Sequence, residues 1–341
     1  MDLLLRELIK DEKKQDKQLY SSGKYWSRKN LKTINQIKKK KLKDFRGLNS
    51  GVGTSFTDNI VTNLENELNF FGRLAFRFFK LPFLNQLFLK QVDITLSHAI
   101  DLLKFQAILY KKSPIVENLI NKYKFTNSVN NGCCQKFLLN NIEYSFLYLE
   151  IANRIENISK FFDFKSINSF FEIGGGFGAN IDFIINNFSN IKKIIYLDTV
   201  PNIYVGTMYL KDKYNNSVID YMQTKDKDVI EFSNNDKLEI ICIAPWQIEK
   251  LNVKIDHFHN AASFVEMPNT AIVNYLKFIF KNNVKSISLV TYYIHDPKTT
   301  FDPYSLNDFF EKKLDVHEFS TAVPELGKKD IYFVKKDYDK N

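Results

Sequence analysis

The stretch best equipped for chemistry is Glu172-Ile-Gly-Gly-Gly-Phe-Gly178, followed by Ala179 and Asn180. Glycines let a backbone turn tightly and approach a ligand with no Cβ in between. A helix beginning directly afterwards offers free N–H groups and a partial positive charge to an anionic group. Glu172, at the end of the preceding apolar run, can face an ammonium directly or through water. A second apolar run ends 26 residues later at Asp198. A carboxylate at that place can accept bonds from both hydroxyls of a ribose. Glu172, Gly174, Gly176, Gly178 and Asp198 thus read as a site for a nucleoside-containing cofactor.

Two cofactors fit this pattern. Gly174, Gly176 and Ala179 satisfy Gly-x-Gly-x-x-Ala, the dinucleotide fingerprint, which would make the chain an NAD(P)-dependent oxidoreductase. Glu172 ahead of the glycines gives Glu-x-Gly-x-Gly-x-Gly instead, the spacing of S-adenosylmethionine-dependent methyltransferases. The mid-chain position, with a full set of strands after it, also favours methyl transfer.

Methyl transfer to a hydroxyl needs alignment of the acceptor oxygen and a base within hydrogen-bond reach. In an open α/β sheet the chemistry lies outside the carboxyl ends of the strands. After the fourth strand come His259, Asn260, Ser263 and Glu266; after the fifth come Tyr292, Tyr293, His295 and Asp296. His295 and Glu266 are the leading candidates for the base, with His259 third. Asn260 joins the cofactor set. Pro245 and Trp246 follow the third strand, on the adenine side, where the indole can stack on a base or a sugar face. No metal site is expected: Asp256 lies close to His257 and His259, but strand alternation turns it to the other face.

The elements that must position these residues follow from periodicity. From about residue 168 short apolar runs alternate with helical stretches, the pattern of a parallel sheet with crossover helices. Strands are predicted at Ser169–Ile173, Lys193–Leu197, Leu238–Ile243, Ile255–His259 and Ser286–Thr291. Two more, near Val316–Ser320 and Ile331–Val334, bracket Pro324-Glu-Leu-Gly327 and add an antiparallel edge. The fold class expected is α/β, a Rossmann-like domain over 161–341 preceded by a helical N-terminal region over 51–160. Phe70, Phe71, Leu74, Phe78 and Leu81 fall at helical spacing, with Arg73, Arg77 and Lys80 on another face. A further helix is predicted near 139–160.

Residues 1–50 form a basic arm, polar and loosely helical. They carry 15 Lys and Arg against 6 Asp and Glu, while the remainder balances at 33 of each. The arm therefore holds the whole net charge of +9. Such an arm can touch nucleic acid, anionic lipid or an acidic glycan, or lie solvated. A membrane or nucleic-acid binder acting through it is a competing function. Confinement of the charge to one segment, with no RNA-binding module, argues against nucleic acid. The start lacks the features of a signal peptide, no uncharged apolar run spans a bilayer, and Cys133, Cys134 and Cys242 make a poor disulfide framework. A cytoplasmic protein is expected, with peripheral contact to the inner membrane face as a further role of residues 1–50.

The sequence resembles the sugar O-methyltransferases of bacterial surface-polysaccharide gene clusters over nearly its whole length. The resemblance rests on Tyr25-Trp26, on Phe45-Arg46-Gly47 with Gly51 to Asp58, and on Phe171 to Gly178. It continues through Leu197-Asp198, Ala244-Pro245-Trp246, and Asn260 through Ser263-Phe264 to Glu266-Met267. It implies a class I methyltransferase fold, S-adenosylmethionine as cofactor and a saccharide hydroxyl as acceptor, with the helical region covering the active site. His257 and His259 depart from the pattern, standing where plain apolar strand residues are expected.

Overall fold

The strands that carry the glycine motif and its partners have no polar face. Every residue of β3 (Ser169–Ile173), β4 (Lys193–Leu197) and β6 (Glu239–Ile243) is buried. Near-continuous burial is the mark of a parallel sheet covered on both faces. Alternate side chains divide between two cores: Phe170, Ile194 and Ile240 pack into one, Phe171, Ile195 and Ile241 into the other. The computed structural model describes residues 2–40, 42, 45–46, 103–126, 129, 132, 134, 136–294 and 296–337.

The eight strands lie in the order β5-β6-β4-β3-β7-β8-β10-β9. The remaining five are β5 (Val218–Ile219), β7 (His257–Ala261), β8 (Ser286–Tyr292), β9 (Asp315–Ser320) and β10 (Lys329–Lys335). All pairings from β5 to β8 are parallel; β10 runs antiparallel between β8 and β9. This is a Rossmann-like α/β fold. The reversed β10 sets it apart from the six-stranded dinucleotide-binding order. Strand order reverses direction at β3 and β7, the switch point where an α/β sheet opens a ligand crevice. All seven strands predicted from 169 onward are present within two residues of the expected bounds; β5, only two residues long, was not predicted.

The helices of the N-terminal region pack on this sheet. Helix α1 (Leu3–Glu12) is capped by Asp2 and buries Leu4, Leu5 and Leu8. It docks on α6 (Asn202–Tyr214) and α7 (Tyr221–Thr224). At its far end Tyr221 donates to Asp11 at 2.9 Å and Lys225 pairs with Glu7 at 3.2 Å. Helix α2 (Gly23–Lys40) follows. The basic segment is thus no loose arm over residues 3–40 but two helices with apolar stripes.

Residues 103–112 are helical and α3 spans Pro114–Lys122. The phenylalanine-rich positions from Phe70 to Leu81, and the Gly47–Gly53 loop, lie outside the described residues. The helix expected near 139–160 begins later. Residues 136–145 form a hairpin of β1 (Lys136–Leu139) and β2 (Ile142–Ser145). Asn140 and Asn141 make its turn at φ 50° and 61°, the left-handed values a two-residue hairpin loop requires and Asn tolerates. Ser145 then caps α4 (Phe146–Ile158) through Tyr148 N–H. Helix α5 (Ala179–Asn187) follows the glycine loop, and α8 (Asn269–Lys281) covers the opposite face. No helix among the described residues is long and apolar enough to cross a membrane.

The fully buried Leu8 anchors α1. Leu8→Ala should cost about 2–5 kcal/mol of stability, read as a lowered midpoint in denaturant unfolding. A surface-like loss below about 0.5 kcal/mol would show that α1 does not dock.

Candidate functional site

Three loops meet at the carboxyl end of the sheet. After β3 the chain turns through Gly174, Gly176 and Gly178, all at positive φ, into α5. At Gly174 (φ 77°) an added Cβ would lie 2.2 Å from Ser263 Oγ, and at Gly175 it would lie 2.5 Å from Glu172 Oε2. Only glycine fits either place. The β7 loop grips this turn. Asn260 donates to the Ile173 carbonyl at 2.8 Å and to Ser263 Oγ at 2.5 Å, and accepts from Phe264 N–H at 3.1 Å. The β4 loop is tied in through Asp198, whose carboxylate accepts from Gly176 N–H at 2.8 Å and Thr199 N–H at 2.6 Å.

Above these loops lies a cleft. Gly174–Gly176, Asn180, Asp198, Thr199 and Asn202 line it together with Arg154, Ala262, Glu266, Met267, Tyr292 and Trp26 of α2. The sequence-predicted residues divide sharply. Gly174, Gly176, Asp198 and Glu266 reach the cleft. Glu172 sits fully buried beneath Gly175, with Oε1 accepting from Asn180 Nδ2 at 2.5 Å and Oε2 without a hydrogen-bond partner. It underlies the cofactor loop and does not line the cleft. Gly178 N-caps α5 with no side-chain bond, which leaves that helix start open. Asn260 is a clamp between two loops, with its amide fully engaged. Pro245 is buried, and Trp246 packs edge-on against Tyr221 at 5.9 Å; neither lines the cleft.

Among the candidate bases, His295 lies outside the described residues. His259 is corrected by its surroundings. Ser286 Oγ donates its single proton to the Asp256 carbonyl at 2.8 Å. It must therefore accept from His257 Nδ1, also at 2.8 Å. With His257 neutral through burial, its Nε2 has only a lone pair and accepts from Ser288 Oγ, which in turn accepts from His259 Nδ1, each at 2.8 Å. Burial, which lowers the pKa of both rings, keeps them neutral. Burial, with Arg154 nearby, pushes the His259 imidazole down to about 3, too low for a general base near neutrality. The two histidines stack among Phe162 and Phe170, which explains how polar rings occupy apolar strand positions.

Glu266 is the candidate base that the structure brings into the cleft. Its carboxylate accepts from Trp26 Nε1 at 2.5 Å. Burial raises its pKa above the ordinary carboxylate value, and the Trp26 bond and Lys29 oppose that rise. Burial also lifts Glu172 to about 8 and Asp198 to about 7. Two neighbouring buried carboxyls, one with an oxygen unbonded, suit a ligand with hydroxyl donors and positive charge. Asn180, Asn202 and Arg154 were missed by motif reading: Arg154 precedes the glycines by twenty residues on a separate helix, and nothing in its local pattern marks it.

No protein-family model matches the sequence, and neither does any curated protein. Among solved structures, the mitomycin 7-O-methyltransferase MmcR is similar at 13% identity and a TM-score of 0.38, over 56% of this chain and 55% of that one. The methyltransferase domain of bacterial CtHen1 is similar at 8% identity and 0.37, over 55% and 98%. Human N-acetylserotonin methyltransferase in complex with SAM is similar at 12% and 0.35, over 56% and 54%. The chain spans about half the length of MmcR.

Glu172 and Asp198 bind protons more tightly when folded than their unperturbed values of 4.5 and 3.8 allow. Their contribution to stability is fully present below those values and is lost as pH rises through about 7 and about 8. Ligand-free protein should therefore melt at progressively lower temperature from about pH 5 to about pH 8.5. Glu172→Gln should flatten that decline, and an unchanged slope would place the titrating group elsewhere.

Proposed function

We propose that the chain transfers the methyl group of S-adenosylmethionine to a hydroxyl of a sugar or glycan. The observation that carries this reading is the joining of Asp198, the glycine turn and Glu266 in one cleft at the strand switch point. The donor supplies an activated methyl group when bound. Asp198 takes the ribose hydroxyls, and the glycine turn lets the backbone lie against the donor. The open start of α5 attracts its methionyl carboxylate. Glu172, beneath the loop, favours the donor's positive end across Gly175.

Catalysis on such a donor is chiefly alignment. Glu266 stands in the acceptor half of the cleft, and its raised proton affinity brings it toward the range where a carboxylate can take a hydroxyl proton. Trp26 holds that carboxylate in one orientation and offers an aromatic face of the kind sugars pack against. The saccharide assignment rests on the sequence resemblance.

Calorimetric titration with S-adenosylmethionine, NAD and NADP tests the reading. The donor should bind and the nicotinamides should not. Asp198→Ala should weaken donor binding by about tenfold or more, the effect of losing hydrogen bonds to a charged group. Binding of a nicotinamide alone would replace methyl transfer with hydride transfer.

A further inference from the structure

Arg154 has no part in the scheme above, yet it is an unusual residue to find in the cleft. It projects from α4, with its side chain 24% exposed. Its Nε donates to Asp330 Oδ2 at 2.9 Å. Asp330 is itself buried, at the start of β10. Among the described residues no hydrogen bond engages the two terminal guanidinium nitrogens, although a guanidinium carries five donors in a rigid fork. Arg154 is also the only cationic side chain among the described residues lining the cleft. Asp330 thus fixes the plane of the guanidinium from one edge and leaves the other to the cavity, an arrangement suited to a planar oxyanion.

Its place in the fold says which ligand it meets. Asp330 is in register with Tyr292 at the carboxyl end of β8. β10 stands three strands from β3, roughly 14 Å at the usual strand spacing. The donor's carboxylate already has the start of α5 beside the glycine turn. Arg154 lies on the side of the cleft that holds Tyr292 and Glu266, away from that turn.

We propose that Arg154 binds an anionic group of the acceptor, so that the substrate is an acidic sugar bearing a carboxylate or a phosphoryl group. This rests on the methyl-transfer reading. Asp330 positions the fork and Glu266 faces the hydroxyl to be methylated.

The experiment is titration of the protein loaded with S-adenosylhomocysteine, using glucuronate, glucose 6-phosphate and glucose, followed by saturation-transfer NMR. At least one anionic sugar should bind about tenfold more tightly than glucose, the size of one charged hydrogen bond. A response to glucuronate alone assigns a carboxylate, and a response to glucose 6-phosphate alone assigns a phosphoryl group. The double variant Arg154→Gln/Asp330→Asn removes both charges of the ion pair and leaves Glu150 its bonds from Tyr110 and the Ala322 N–H. It should abolish the preference while binding S-adenosylhomocysteine as before. Equal binding of glucose and both anions overturns the proposal. So does a variant that loses affinity for S-adenosylhomocysteine but keeps it for methylthioadenosine, which lacks the carboxylate; Arg154 would then serve the donor. If the unaltered protein fails to bind S-adenosylhomocysteine at all, the methyl-transfer reading falls and the inference with it, a result distinct from failure at Arg154 alone.

Discussion

Where β3 and β7 part, the Asn260 amide bonds the Ile173 carbonyl, Ser263 and the Phe264 N–H at once, and Gly174 leaves no gap between the two loops. A parallel sheet supplies no hydrogen bonds beyond its strand ends, so a loop there needs its own partners. Asn260 provides them for two loops together. Asp198 then fastens the β4 loop to Gly176. The floor of the cleft is therefore one connected polar unit in which each member is held by another loop. Loss of Asn260 would strand the buried Phe264 N–H, costing about 1–3 kcal/mol, and leave the Ile173 carbonyl only the bond from Ser263 Oγ at 3.3 Å.

The same unit carries charge it does not neutralise. Asp198 is satisfied by backbone N–H groups, but one oxygen of Glu172 has no partner and neither carboxylate meets a cation in the hydrogen bonds and ion pairs of the described residues. Burying a carboxylate without a counter-charge is costly, and the groups respond by holding their protons. The lysines and arginines that could have offset them lie elsewhere: Lys213 on Asp182, Lys193 on Glu239, Arg154 on Asp330. The stability withheld at the sheet end is available to a ligand that brings hydroxyls and positive charge.

How much of this could be read from sequence depended on range. The glycine turn, Asp198 and the strand positions were legible because each is a local pattern: a continuous apolar run, a breaker, an acid at the run's end. Glu266 was legible once the strand order was assumed. Asn260 clamps two loops where a cofactor contact is expected from sequence, because whether an amide faces a ligand or a neighbouring carbonyl depends on how closely two loops pack. Trp246 looked like a stacking platform, yet Tyr221 and the docking of α1 turn it into wall. Residues 139–145 read as part of a helix because Ile142 and Phe146 keep a helical spacing; two asparagines in left-handed conformation decide otherwise. Arg154 has no local signal and Trp26 enters only as part of the family resemblance, since each takes its place through a partner far along the chain.

That distance has a consequence for how the protein is made. Trp26 meets Glu266 across 240 positions, Tyr20 meets Glu249 across 229, and the Gln18 carbonyl accepts from Thr270 across 252. At roughly 5–20 residues per second, synthesis separates these partners by roughly 10–50 s. For that interval Gln18, Tyr20 and Trp26 have no partners to meet. Trp26 and Glu266 can meet over the cleft only once both have been made. Ribosome-bound chains halted before Glu266 would carry the glycine turn and Asp198 without that carboxylate.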